Sequence, residues 1–275
     1  MCGIYGYIGS KANAAKITLN GLKKLEYRGY DSWGIAVWDG KQIVIEKHIG
    51  KIGEALTSLP KSHIAIGHTR WATHGGVLEK NAHPFFDCQR KIALLHNGII
   101  ENYQNLKQEL ISTGHIFSSD TDSEVAVHLI EEELKGTTFE SAVCKAFRRL
   151  EGLNAIVVLN GPGNQIIAAK NGSPIVVGIG IKENFIASDA LAFLDKTRNV
   201  IFLNDGEMII LSDENTHLIS VKTGTTKKQK REHLKWKIEE IEKGNFAHFM
   251  LKEIYEQPKV IDNITQNLTA IFICC

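Results

Sequence analysis

The residue best equipped for chemistry opens the chain. Cys2 follows Met1 in the stretch MCGIYGYIG. Removal of a leading methionine ahead of a small residue would leave one residue carrying a thiol and a free α-amine. That amine titrates near ~7.7–8.0, so it can serve as a base close to neutral pH. The thiolate is the nucleophile, and an N-terminal amine can activate its own side chain. The plainer reading of Cys2 is a small buried hydrophobe in a strand. Other stretches must decide between the two.

Three stretches bear on that choice. His68–Thr69–Arg70–Trp71–Ala72–Thr73–His74–Gly75–Gly76 follows a short apolar run and is dense in donors. Arg70 offers a planar fork suited to a carboxylate. Thr73 and His74 can add hydrogen bonds, and Trp71 can close over a small ligand. In Leu94–Leu95–His96–Asn97–Gly98–Ile99 an apolar strand runs into Asn-Gly. That dipeptide is a common hairpin turn. It could also be an oxyanion hole, made by the Asn97 side-chain amide and the Gly98 N–H. Ser118 to Glu124 reads first as a helix start, with Thr121 as N-cap and Glu124 in the capping-box position. One of its acids, Asp122, could bind an ammonium group. Arg70 and Asp122 together would then recognise the backbone end of an amino acid.

A metal is the competing use of His68, His74, His83, His96 and Cys88. None of these pairs has the close spacing typical of zinc sites, so no metal and no cofactor is expected. A papain-like thiol protease does not fit a cysteine at position 2.

These residues need rigid elements to hold them. Cys2 to Ile8 alternates as a strand, and Ala12 to Leu25 has helical apolar spacing. Tyr27 to Ser32 is a turn cluster. Strands follow at Gly34 to Trp38 and Ile43 to His48, joined across Asp39–Gly40. Ile64 to His68 and Ile92 to His96 are short strands running into the polar loops. Helices are expected at Glu101 to Ser112, Asp122 to Leu134 and Phe139 to Leu150, and strands dominate from Asn154 onward. Strands and helices do not alternate strictly, which argues against a doubly wound parallel sheet. Layered antiparallel sheets covered by a few helices fit better.

The 275 residues carry a net charge of +1, so no field argues for nucleic acid or an acidic membrane surface. Nothing reads as a signal peptide or a membrane span. The five cysteines are odd in number and lack C-x-x-C spacing, which suits free thiols in a reducing cytoplasm. Lys227 to Arg231 reads as a solvated basic loop, with Glu239, Glu240 and Glu242 close behind it. Asn245 to Cys275 reads as a linker, interrupted at Gln257–Pro258 and ending in the β-prone run Ala270 to Cys275.

The ordered set of motifs resembles one family. Cys2–Gly3–Ile4, Leu25 to Ser32 (LEYRGYDS), His68 to Gly75 (HTRWATHG) and His96 to Asn102 (HNGIIEN) are similar to class II glutamine amidotransferases, which are N-terminal nucleophile hydrolases. Glu26 to Ser32, Asn171 to Pro174, Phe185 to Asp189 and Lys252 to Pro258 point to the branch formed by the glutaminase halves of glucosamine-6-phosphate synthases. The resemblance implies an α+β fold, a four-layer αββα sandwich of two mostly antiparallel sheets. It implies that Cys2, once N-terminal, attacks the side-chain amide of L-glutamine and forms a thioester. Asn97 and Gly98 would form the oxyanion hole. Arg70 would hold the substrate carboxylate and Asp122 its ammonium, while Thr73, His74 and Trp71 line or close the pocket. Arg28 and Gly29 would support the nucleophile.

On this reading residues 2–240 form the glutaminase domain, and 241–275 are a linker toward a sugar isomerase half. The family passes ammonia to that half to convert fructose 6-phosphate to glucosamine 6-phosphate, as a homodimer when full length. The sequence stops at Cys275, before any such half, so the expected activity here is hydrolysis of glutamine to glutamate and ammonia. The rival expectation is a non-catalytic glutamine-binding or regulatory module. It would keep Arg70 and Asp122 but have no use for an unblocked Cys2.

Overall fold

The computed structural model describes residues 2–213, 215–236, 245–246 and 249–273. The strands are β1 Gly3–Gly9, β2 Ser32–Trp38, β3 Ile43–Ile49, β4 Ile64–Arg70, β5 Phe85–Phe86, β6 Ile92–Gly98, β7 Asn154–Asn160, β8 Gln165–Asn171, β9 Val176–Ile179, β10 Glu183–Ala187, β11 Asn199–Phe202, β12 Glu207–Leu211, β13 Thr216–Ser220 and β14 Glu232–His233. The helices are α1 Ala14–Leu25, α2 Tyr103–Ser112, α3 Glu124–Glu133, α4 Phe139–Arg149 and α5 Phe249–Ile273. Two compact units divide the chain, Met1–Leu234 and Lys235–Cys275. The boundary expected at 240/241 and the acids Glu239, Glu240 and Glu242 lie outside the described residues.

Two sheets form the body of the first unit. One has the order β14-β11-β9-β10-β1-β4-β2-β3 and the other β13-β12-β8-β7-β6-β5. Neighbouring strands within both sheets pair antiparallel. Strand alternation decides which residues meet. Ile4 and Ile8 of β1 and Ile64 and Ile66 of β4 point inward. They pack against Leu95 of β6, Val157 of β7 and Ile166 of β8 in the core between the sheets. The opposite faces of β6, β7 and β8 present Leu94, Ile156, Val158 and Ile167 to the second core, beneath α2, α3 and α4. On the far side, α1 lies so close to β1 that a Cβ at Gly21 would sit 2.3 Å from the Tyr5 ring. The layers are therefore α1, sheet, sheet, and α2–α4, the four-layer αββα sandwich. Each fully buried Ile, Leu or Val in these cores contributes about 1.5–3 kcal/mol before chain entropy is counted.

Three local expectations are corrected. Thr121 does not cap α3. The preceding residue there is Ser123, which makes no side-chain cap bond, and the Thr121 hydroxyl bonds Ser119 Oγ instead. Glu124 reaches past Thr121 to accept from the Ser118 and Ser119 N–H groups. It ties down the preceding turn rather than closing a capping box. The short strands β5 and β14 span two residues each, too few to show alternation in sequence. In the second unit, α5 runs through Pro258 to Ile273, where the sequence suggested an interruption and then a β-prone segment. Cys274 and Cys275 lie outside the described residues. Among the described residues no helix is long and apolar enough to cross a membrane.

Candidate active site

The period-2 geometry of three strands brings the polar residues to one place. Cys2 precedes Gly3 and so shares the inward side of Ile4. Asn97 shares the inward side of Ala93 and Leu95 on β6, and His68 shares that of Ile64 and Ile66 on β4. All three lie at strand ends, at the mouth of the gap between the sheets.

Cys2 is held by backbone on both sides. The Trp71 N–H donates to Cys2 Sγ at 3.2 Å, and the thiol lies 3.6 Å from the Trp71 carbonyl oxygen. Gly3 N–H donates to Thr69 Oγ1 and Ile4 N–H to Ser188 Oγ, both at 3.1 Å. Burial pushes the Cys2 thiol pKa up, while the Trp71 N–H and the charges of Arg70 and Arg28 pull it part-way back.

Asn97 Nδ2 donates to the Cys2 carbonyl oxygen at 3.1 Å. Its Oδ1 lies 2.9 Å from His68 Nε2. Burial drives the His68 pKa down to about 3, so the ring is neutral and its Nε2–H donates to Asn97. His68 therefore fixes which end of the Asn97 amide faces Cys2. Gly98 has φ of +133°, and a Cβ there would lie 2.1 Å from the Leu153 carbonyl oxygen. Only glycine fits that position.

Gly29 makes a similar close approach. A Cβ would stand 2.8 Å from the Arg70 carbonyl carbon and 2.9 Å from the Trp71 nitrogen, behind the thiol. Arg28 pairs with Asp189 at 3.4 Å and lines the cavity. That cavity measures about 410 Å³. Its walls include Cys2, Arg28, Thr73, Asn97, Gly98 and Ser173.

The remaining residues singled out in the sequence stand around this cavity or behind it. Arg70 is buried, and its guanidinium donates to the carbonyls of His74, Gly75 and Gly76. His74 meets the Tyr103 ring edge-on at 5.0 Å. Trp71 is 44% exposed and packs edge-to-face on Tyr30. Asp122 is buried and accepts from the Ile100 N–H at 2.8 Å, two residues past Gly98. Behind it, His96 joins Ser123 and Asn154.

Comparisons with known proteins agree with this geometry. Residues 68–195 match the family described as glutamine amidotransferase domain. Glutamine–fructose-6-phosphate aminotransferase (isomerizing) of Pyrococcus horikoshii is 50% identical across 95% of this chain and 44% of its own. An enzyme of that name from Thermus thermophilus is 46% identical across 96% of this chain and 44% of its own. The chain carries a glutamine amidotransferase domain. It spans less than half the length of these curated relatives. Among solved structures, glutamine phosphoribosylpyrophosphate amidotransferase of B. subtilis superposes with a TM-score of 0.70 at 31% identity, over 81% of this chain and 50% of that one. A class-II glutamine aminotransferase domain protein of Silicibacter pomeroyi, at 16% identity and a TM-score of 0.58, shares the fold.

Sequence reasoning gives no role to the residues that hold this site together. His68 enters it only as a candidate metal ligand, yet it orients Asn97. Thr69 and Ser188 anchor the backbone just after Cys2, although both lie inside motifs that carry the family resemblance. Their signal is present: each is a lone hydroxyl at the end of an apolar strand.

Proposed function

We propose that this domain hydrolyses L-glutamine to glutamate and ammonia at Cys2. The observation that carries the reading is the Cys2 thiol beside Asn97 and Gly98 at the mouth of a cavity. Removal of Met1 frees the Cys2 amine, which takes the thiol proton. The sulfur attacks the side-chain carbonyl carbon of glutamine, and the oxygen gains negative charge. Asn97 Nδ2 and the Gly98 N–H stabilise that oxygen. The C–N bond then breaks, and the amine hands its proton to the departing nitrogen, releasing ammonia. Water cleaves the remaining thioester and restores the thiol. Arg70 supplies charge for the substrate carboxylate and Asp122 for its ammonium. Thr73, His74 and Trp71 close the site, and Arg28 and Gly29 support the nucleophile.

The names of the relatives extend the reading. Residues 2–240 act as the glutaminase part, and 241–275 lead toward a sugar isomerase half in a full-length cytoplasmic homodimer. There the ammonia aminates fructose 6-phosphate.

The test is glutamate production by protein whose intact mass proves that Met1 is gone, beside Cys2→Ala. The expected result is turnover in the first, none in the second, and labelling of Cys2 by an electrophilic glutamine analogue. Glutamine binding by the processed protein without any glutamate formed would favour the non-catalytic binding module.

A further inference from the structure

A second cluster of reactive side chains lies away from this site. Cys88 sits in the turn between β5 and β6, and His115 follows α2. His128 and Glu131 stand one turn apart on α3. One ligating atom from each of the four falls within 4.8 Å of all the others. The Cys88 sulfur lies 3.8 Å from His115 Nδ1 and 3.7 Å from His128 Nδ1. Glu131 Oε2 lies 3.1 Å from His115 Nδ1 and 3.3 Å from His128 Nδ1.

We propose that Cys88, His115, His128 and Glu131 form a tetrahedral zinc site. Ordinary zinc–sulfur, zinc–nitrogen and zinc–oxygen bond lengths place the edges of such a tetrahedron at ~3.5–3.6 Å for S···N and ~3.3 Å for N···O. The four separations above lie within a few tenths of an ångström of those edges. The sulfur is too far from either ring for a strong hydrogen bond, but its distances suit two ligands sharing one ion.

The outer nitrogen of His115 supports the same assignment. His115 Nε2 lies 2.9 Å from Glu132 Oε2, and His128 Nε2 lies 3.7 Å from Glu124 Oε1. A carboxylate on the far nitrogen is how metal-binding imidazoles are oriented and made more basic. Here His115 has one, whereas Glu124 stands beyond hydrogen-bond distance of His128 Nε2; both rings turn Nδ1 toward Cys88. Mixed sulfur, nitrogen and oxygen donors in a tetrahedron select zinc over magnesium or calcium. Four protein ligands make the site structural. The ion would join the β5–β6 turn, the segment after α2, and α3, which starts two residues after Asp122. A cavity of about 710 Å³ lined by Cys88, His115 and Glu131 gives it a route from solvent.

The test uses the whole chain, stripped of metal and confirmed folded, then titrated with zinc alone against a coloured chelator. One zinc per chain and a raised Tm are expected. Cobalt(II) in its place should show the visible absorption of tetrahedral cobalt and a thiolate-to-cobalt charge-transfer band. Cys88→Ser removes that band, and His128→Asn abolishes stoichiometric uptake. Glu132→Gln, which does not touch the ion, weakens uptake roughly 10- to 100-fold. Binding survives Cys2→Ala and the paired change Cys274→Ser with Cys275→Ser, so the other terminal thiols are not its source. The proposal is overturned if the folded wild-type chain takes up no stoichiometric zinc, or if cobalt shows no thiolate band. It is equally overturned if folded Cys88→Ser keeps that band. In each case the cluster is a hydrogen-bonded network around Glu131. Should Cys88→Ser fail to fold, the wild-type cobalt spectrum decides. No readout depends on glutaminase activity.

Discussion

Two cysteines of this chain sit in opposite surroundings. Cys2 stands at the end of a central strand, with a backbone N–H on its sulfur, the Asn97 amide on its carbonyl oxygen and Gly98 on the wall of the same cavity. Cys88 stands in a surface turn, facing two imidazoles and a carboxylate. The first setting offers donors for negative charge that develops during a reaction. The second offers lone pairs to something already positive. On the two proposals made above, the same side chain is a nucleophile in one place and a ligand in the other, decided by whether its neighbours donate or accept. The scaffold differs as well. Strand alternation aims Cys2, Asn97 and His68 into one gap, whereas the Cys88 cluster gathers from a turn, a helix exit and one face of a helix.

The largest expected effect tests the donor side of that contrast. Asn97→Ala should lower kcat for glutamine hydrolysis by ~10²–10³ with KM little changed, as loss of an oxyanion donor does. Zinc uptake should be unaltered. Steady-state kinetics would show the contrast to be false if KM rose and kcat held.

Next comes Gly98→Ala. The left-handed backbone and the Leu153 carbonyl leave no room for a Cβ, so a loss of about 3 kcal/mol in stability is expected. Urea unfolding measures it, and an unchanged midpoint would mean that β6 and β7 part easily there.

Acid sensitivity should be graded, and smaller than this for any one histidine across any one pH unit. Burial lowers the folded-state pKa of His68, His83 and His96. The unfolded chain therefore binds more protons than the folded one below the ordinary histidine value of 6.5. Stability is full above that pH and falls as pH drops toward about 3 for His68, at on the order of 1 kcal/mol per pH unit per histidine. Thermal melts across that window check the slope, and His68→Gln should flatten it.

The smallest effect is expected for Trp71→Phe. The contact with Cys2 runs through the Trp71 backbone and survives the change, so kcat should move less than about 3-fold, under ~1 kcal/mol. A large fall in kcat would assign the indole a part in the chemistry.

Legibility in the sequence follows the range of the interactions. β1, the β2–β3 hairpin and the strands β6, β7 and β8 are visible because alternation and turn residues are local signals. Asn97–Gly98, the last two residues of β6 rather than a hairpin turn, is visible as a candidate oxyanion hole for the same reason. The His68 bond to Asn97 crosses from one sheet to the other, and no spacing in the chain announces it. The Cys88 cluster is hidden differently. Zinc motifs are recognised by close pairs, and here the one close pair is His128 with Glu131, which falls inside the helix expected at Asp122 to Leu134. Sequence alone sets Cys88 beside His68, His74, His83 and His96, whereas the fold gathers it with His115 and His128. Pro258 misleads in the opposite sense, since a proline marks a break only where the helix cannot bear the lost hydrogen bond.

The register of β1 has a consequence for how the protein is made. Its neighbours in the sheet are β4 and β10, and Ile4 meets Ser188 across 184 residues. A ribosome delivers the nucleophile strand first and its second partner last among the strands that touch it. Until β10 emerges one edge of β1 is bare, a state in which strands aggregate or mispair. The order of emergence therefore keeps the Cys2 thiol at an unfinished edge until β10 has left the tunnel.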